Sequence, residues 1–140
     1  MRDRSLLPMM EQLIMLVVFA LSAVLCVQAF VLADRTSRQC EERDRAMVEA
    51  QNAAEKIKSV RGDLSLAAAC YGGTENGLMW GWSLDEDWQE AQEDLTYHVL
   101  VTPLETENPL LGSAEVTIYG EEGQTLAALP VAWQEVDSHA

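Results

Sequence analysis

The hydrophobic positions along this chain follow three successive patterns. Residues 13–33 form an uncharged, almost entirely apolar run of 21 residues. Residues 34–61 are densely charged, with small and apolar residues recurring at three- and four-residue intervals. After Gly62 apolar and polar residues alternate, which is typical of strands. The pattern predicts a helix that is first apolar and then amphipathic, followed by a β-sheet.

The first two patterns belong to one predicted helix. Between Pro8 and Gly62 there are 53 positions without proline or glycine, the two residues that interrupt helices most strongly. Proline is tolerated in a first helical turn, and glycine is common just after a last one. A helix of this length would extend on the order of 80 Å. Such a helix is too long for the interior of a 140-residue globular protein.

The apolar run predicts a transmembrane helix, because about 20 apolar residues match the thickness of a bilayer core. The alternative is a cleavable secretory signal, since Val27-Gln28-Ala29 resembles a cleavage site. Signal peptides usually have a shorter apolar region of roughly 7–15 residues. We therefore expect a single-pass protein of the cell membrane in contact with the lipid bilayer.

The positive charges that flank the apolar run bear on its orientation. Two arginines precede the run and four follow it closely, at positions 2, 4, 35, 38, 43 and 45. Taken alone, this count places the C-terminal part in the cytoplasm. The later arginines are interleaved with acidic residues, and a short basic N-terminus is typical of a signal-anchor. We therefore expect an extracytoplasmic C-terminal domain.

The amphipathic part of the helix predicts a cover for a sheet. Its small and apolar residues fall on one narrow face: Cys40, Met47, Ala50, Ala54, Ile57 and Val60. A coiled-coil partner is the alternative, although Arg43 interrupts the seam. After Gly62, Asp63 is placed to cap a short helix, Leu64–Tyr71, which Gly72-Gly73 would end.

About four antiparallel strands are predicted, in residues 78–84, 95–102, 114–119 and 125–135. Residues 120–123 form the turn of a hairpin, and Pro130 indicates an edge strand or a bulge. The predicted fold class is α+β, with a long N-terminal helix packed on a small antiparallel meander. The expected divisions are 1–33, a short basic N-terminus and transmembrane helix; 34–61, the amphipathic helix; and 62–140, an acidic head.

Charge excludes one class of partner. The net charge is −14, all nine Lys and Arg lie at or before Arg61, and residues 62–140 contain 15 Asp and Glu. Nucleic-acid affinity depends largely on cations that neutralise phosphates, so the head is not expected to bind DNA or RNA. An acidic, solvated surface that keeps an exported domain soluble accounts for the charge, with a dedicated site for a cation or a basic partner as the alternative.

Residues 9–18, MMEQLIMLVV, place a single glutamate, Glu11, just before the unbroken apolar run. With the predicted helix and meander, they resemble the type IV pilin and pseudopilin family, especially small pseudopilin-like proteins of Gram-positive bacteria. The resemblance implies a subunit that associates with other pilin-like subunits or secretion-machine components. It also implies that Glu11 pairs with the free amine of a neighbouring subunit.

The chain departs from the family at the processing site. In the family the cut follows a glycine and exposes an N-methylated phenylalanine, whereas this chain has Leu6 and Leu7 there, followed by Pro8. The alternative for Glu11 is a solvated carboxylate in the headgroup region, at the positive end of the helix dipole. Ser22, Cys26 and Gln28 are candidate helix–helix contacts within the membrane.

Candidate chemistry is sparse. No HExxH, GxSxG, P-loop, GxGxxG or paired CxxC motif occurs, so we expect neither an enzyme nor a bound cofactor. The two histidines, His98 and His139, and the three cysteines suggest no catalytic pair or disulfide framework; His98 is expected to face solvent.

Two further features, an acidic segment and the four tryptophans, are candidate binding sites. Asp85, Glu86 and Asp87 begin an acidic segment that offers oxygen ligands for calcium, with a plain solvated loop as the alternative. Trp80, Trp82 and Trp133 are expected in the core, and Trp88 on the surface.

The sequence as a whole predicts a non-catalytic structural component of a pilus or type II secretion-like membrane assembly. One alternative is a membrane-tethered extracytoplasmic binding domain that enters no filament. A secreted acidic domain released by signal peptidase is a further alternative. The three differ in how the N-terminus is processed and in whether Glu11 matters.

Overall fold

The computed structural model describes residues 6–135. Two helices, α1 (Leu6–Ser59) and α2 (Leu64–Tyr71), precede five strands. The strands are β1 (Thr74–Glu75), β2 (Trp80–Leu84), β3 (Tyr97–Leu104), β4 (Leu111–Tyr119) and β5 (Thr125–Gln134). The chain divides into two compact units, Met1–Glu41 and Glu42–Ala140. The predicted α+β class is confirmed.

Helix α1 confirms the long uninterrupted helix, although it ends two residues before the predicted limit. Arg61 and Gly62 both have positive φ angles, 53° and 80°, which end the right-handed helix. The Gly62 amide donates to the carbonyl of Ile57 at 3.0 Å and so satisfies an acceptor of the last turn. Asp63 then caps α2 as predicted, because its Oδ1 accepts the Leu66 amide at 2.9 Å.

The strands of the second unit form one antiparallel meander in the order β1-β2-β3-β4-β5. The sheet has one strand more than predicted. The additional strand, β1, is only two residues long and pairs with Trp80 and Gly81. Two residues are too few to show an alternating pattern, so periodicity does not predict β1. Pro130 lies on β5, an edge strand, as predicted.

The core lies between the C-terminal part of α1 and one face of the sheet. The helix contributes Ala46, Ala50, Ala53, Ala54 and Ile57, and the strands contribute chiefly Trp80, Val99, Val101, Val116 and Ile118, all buried. Four of the five buried helix residues are alanines, so the helix covers the sheet mainly with small side chains. Ile57 is completely buried and contributes about 1.5–3 kcal/mol through the hydrophobic effect.

The prediction of the buried face of α1 is wrong at two positions. Met47 and Cys40 are exposed, whereas Ala46 and Ala53 are buried in their place on the helix. At 100° per residue, Met47 lies about 80° from the centre of the buried face. The prediction favoured larger side chains, but the sheet is covered by the smallest ones on the helix.

Trp133 is partly buried against the core, as expected, and it lies against two glycines. A Cβ atom built on Gly112 would lie 2.2 Å from the indole Nε1, and one built on Gly62 would lie 2.2 Å from Cζ2. The indole therefore occupies space that any side chain at either position would take. Within residues 6–135, its Nε1 has no hydrogen-bond partner.

We expect Gly112→Ala to destabilise the head by about 1–3 kcal/mol, because the added methyl overpacks against a rigid ring. The matched control is Gly120→Ala, whose added Cβ would meet only the flexible side chain of Gln124. Denaturant unfolding of both variants, monitored by tryptophan fluorescence, measures the difference. Equal stability of the two variants would contradict this packing of Trp133.

Candidate functional site

The apolar part of α1 is the most distinctive surface of the first unit. Every described residue from Leu6 to Glu41 is exposed. Helix α1 is the one helix within residues 6–135 that is long and apolar enough to cross a membrane, with a mean hydropathy of 2.7 over 18 residues. None of that window is buried against the rest of the protein. The surface is therefore free to contact lipid or another helix.

The structure brings three of the four predicted packing residues to one face of α1. At 100° per residue, Glu11, Ser22 and Cys26 fall within an arc of about 60°. Gln28 lies about 100° or more from each of them and does not share their face. The Ser22 hydroxyl donates to the Val18 carbonyl at 2.8 Å, so its proton is satisfied within the helix.

The charged part of α1 begins directly after the apolar run. Arg38 Nε contacts Asp34 Oδ2 at 3.1 Å, one helical turn earlier in α1. Both side chains are largely exposed, so the pair stabilises the helix by only about 0.3–0.5 kcal/mol. Its location marks the change from an apolar helix surface to one suited to water.

The acidic segment after β2 is a structured turn. Asp85 Oδ1 accepts the amides of Asp87 and Gln89, both at 2.9 Å. Within residues 6–135, no three His, Cys, Asp or Glu side chains converge closely enough to hold a metal ion. A calcium site at Asp85, Glu86 and Asp87 stays a prediction, and the Asp85 carboxylate is one of the groups that hold the turn together.

Trp88, which was expected to be exposed, is half-buried. Its ring stacks on Tyr97 with centroids 4.0 Å apart and planes at 15°. Trp88 also adopts a positive φ of 63°, an unusual backbone conformation for a tryptophan. The prediction was wrong because the acidic neighbours of Trp88 suggested a solvated loop, whereas the turn folds its ring back onto β3.

A second aromatic group surrounds Lys56 and had no signal in the sequence. Lys56 Nζ lies 4.6 Å from the centroid of Trp82 and 5.8 Å from that of Tyr71. It also lies 3.9 Å from a carboxylate oxygen of Glu90. Cation–π attraction of this kind contributes about 0.5–1 kcal/mol at a partly exposed site. Lys56 thus connects α1 to α2, to β2 and to the segment that follows β2.

The remaining polar candidates are at the surface. Cys26, Cys40 and Cys70 are all free and exposed, consistent with the absence of a disulfide framework. His98 is exposed, as predicted, and its Nδ1 lies 2.9 Å from the Ser83 hydroxyl. The structure thus pairs His98 with a serine rather than with Cys70.

Comparisons with models of protein families, with curated proteins and with solved structures find no match for this chain. The resemblance of residues 9–18 to pilins therefore stays a prediction. A long apolar helix followed by an antiparallel sheet is compatible with a pilin-like fold.

The environment of Tyr97 gives a testable pH dependence. Burial raises the pKa of Tyr97 above 10.0, and the charge of Glu42 and its hydrogen bond with the phenol raise this pKa further. The folded protein therefore holds the phenolic proton more tightly than the unfolded chain does. This contribution to stability is present below pH 10 and is lost as the pH rises through the raised pKa.

We expect the phenolate absorbance assigned to Tyr97, by difference from Tyr97→Phe, to appear above pH 10.0. Glu42→Gln should move that titration to lower pH because it removes a negative charge beside the phenol. Glu115→Gln, on β4, is the matched control and should leave the titration unchanged. Titration of Tyr97 at or below its ordinary pKa would contradict the described contact with Glu42.

Proposed function

We propose that this protein is a membrane-anchored, non-catalytic structural subunit of a pilin-like assembly, with its β-rich head displayed outside the cytoplasm. The observation that supports the proposal is the wholly exposed apolar surface of α1, which continues as one helix into the head. The apolar segment would act as anchor and assembly element. The head would remain in water.

The size of the hydrophobic effect makes a water-exposed apolar segment untenable. Burying a large apolar side chain stabilises a protein by about 1.5–3 kcal/mol. Residues 13–33 contain well over a dozen such side chains, so their exposure to water would cost on the order of tens of kcal/mol. Total folding stability is typically only about 5–15 kcal/mol. A bilayer or neighbouring helices must therefore cover this surface.

Assembly would proceed through the face of α1 that carries Glu11, Ser22 and Cys26. Small side chains such as Ser22 and Cys26 allow close approach of two helices in a membrane. A carboxylate at the edge of the bilayer is costly unless a positive charge accompanies it. The amine of a neighbouring subunit would supply that charge to Glu11. The partners proposed are other pilin-like subunits or components of a secretion machine.

A membrane-tethered binding domain that enters no filament remains the second candidate. The observation in its favour is that Leu6 and Leu7 stand where the pilin family has glycine and phenylalanine. Processing of the N-terminus separates the two candidates, because only a cut chain offers the amine required beside Glu11.

The mass and first residue of the mature protein, recovered from cell membranes, test the proposal directly. We expect a chain that starts near Leu7, which would carry the amine for Glu11. An intact Met1 would contradict assembly by the pilin-like route and favour the tethered domain. A chain starting at Phe30 or Asp34 would contradict membrane anchoring itself, because the apolar segment would be missing.

The role of Glu11 is tested by cross-linking between neighbouring copies through Cys26, with Cys40 and Cys70 changed to serine. In membranes, Glu11→Gln should reduce the oxidised dimer about tenfold or more, since it removes the charge that pairs with the amine. Gln28→Leu, off the proposed face, is the control and should not change the dimer. A dimer yield unaffected by Glu11→Gln would contradict the pairing.

A further inference from the structure

A hollow of about 740 Å³ opens at the edge of β2. Strand β1 pairs with Trp80 and Gly81, while Leu84 at the other end of β2 forms a bridge with Glu90. The edge is therefore covered at both ends, with an opening between the two covers. The volume lies within the range of roughly 300–1,000 Å³ found for ligand pockets.

The lining of this hollow combines negative charge with apolar surface. Glu75 comes from β1 on one side, and Glu90 from the segment after β2 on the other. Leu95 and Leu100 provide apolar surface, and the hydrogen-bonded Ser83 and His98 provide polar groups. No described Lys or Arg lines the hollow. Lys56 lies 3.9 Å from a carboxylate oxygen of Glu90 and does not line the hollow.

We propose that the hollow binds a lysine or arginine side chain from a basic segment of a partner protein. The aliphatic part of such a side chain packs on leucine, while its charged end requires carboxylate or hydroxyl oxygens. Glu75 and Glu90 line the hollow and are its two carboxylate residues. Charge complementarity identifies the partner, because residues 62–140 contain 15 acidic residues and no Lys or Arg.

A second hollow beside the first is also lined by negatively charged residues. Leu95 lines both hollows, and the second, of about 590 Å³, is also lined by five acidic residues: Asp85, Glu86, Asp87, Asp94 and Glu121. A partner segment in the first hollow therefore meets further negative charge beyond Leu95. This arrangement fits a segment with several cations better than a single basic residue.

Local bonds hold the walls of the first hollow in place before any partner binds. Glu75 Oε2 accepts the Gly77 amide at 2.8 Å, and the Ala91 amide donates to the Ser83 carbonyl at 3.2 Å. The Thr96 amide donates to Leu84 at 2.9 Å and closes the segment between β2 and β3. A site fixed in this way loses little conformational entropy on binding.

This binding site goes beyond the proposed structural role and does not depend on it. A head that binds a basic segment serves an assembled subunit and a tethered domain equally well. If the hollow does not bind a basic segment, the proposals for the membrane anchor and for the pairing of Glu11 are unaffected.

The test uses the full chain in lipid nanodiscs and the peptide acetyl-Gly-Lys-Gly-amide as the probe. We expect saturable shifts of the backbone amide resonances of Ser83, His98 and Leu100 in the millimolar range. The same peptide with norleucine in place of lysine keeps the aliphatic chain and removes the charge. Equal binding of the norleucine peptide, or an absence of shifts with the lysine peptide, would overturn the proposal.

Matched variants locate the binding. Glu75→Gln and Glu90→Gln should each weaken binding of the lysine peptide about threefold or more, since each removes one carboxylate charge. Glu115→Gln removes the same charge from β4, outside both hollows, and should leave binding unchanged. Equal weakening in all three variants would show attraction to the overall charge and overturn the site. Circular dichroism of each variant verifies that the head is folded.

Discussion

The structure depends on one helix, α1, whose two parts require different environments. The part of α1 before Asp34 carries no charge over 21 residues, whereas its C-terminal part covers a sheet with alanines and Ile57. Helix continuity is possible because proline and glycine are absent between Pro8 and Gly62. The hydrophobic effect acts on both parts, but within residues 6–135 only the second part is covered by the protein itself. The first part is long and apolar enough to cross a membrane, and we propose that a membrane covers it.

The head is built around small residues at close contacts. Ala46, Ala50 and Ala53 are completely buried on the helix side of the core, and Gly112 leaves room for the indole of Trp133. Larger aromatic side chains are partly buried at the edge of the core: Trp88 stacks on Tyr97, and Trp82 lies under Lys56. The head thus has a core of small and branched side chains around the fully buried Trp80, with the other tryptophan rings at its edges.

Periodicity and helix caps were sufficient to predict the class of fold, the cap at Asp63 and the edge position of Pro130. These features depend on neighbouring residues in the sequence, where a local pattern carries the signal. Local patterns did not predict β1, the burial of Trp88 or the cluster around Lys56. Strand β1 is too short to show a pattern, whereas the burial of Trp88 and the cluster around Lys56 depend on side chains that meet only in the folded chain. The hollow between Glu75 and Glu90 is of the same kind.

The reactivity of the three native cysteines toward a membrane-impermeant maleimide tests the central claim most directly. Cys26 lies in the apolar segment, Cys40 in the charged part of α1, and Cys70 in α2. In opened membranes containing single-cysteine variants, the account predicts labelling at Cys40 and Cys70, and labelling at Cys26 only after denaturation. Labelling of Cys26 in the membrane as fast as of the other two would contradict it.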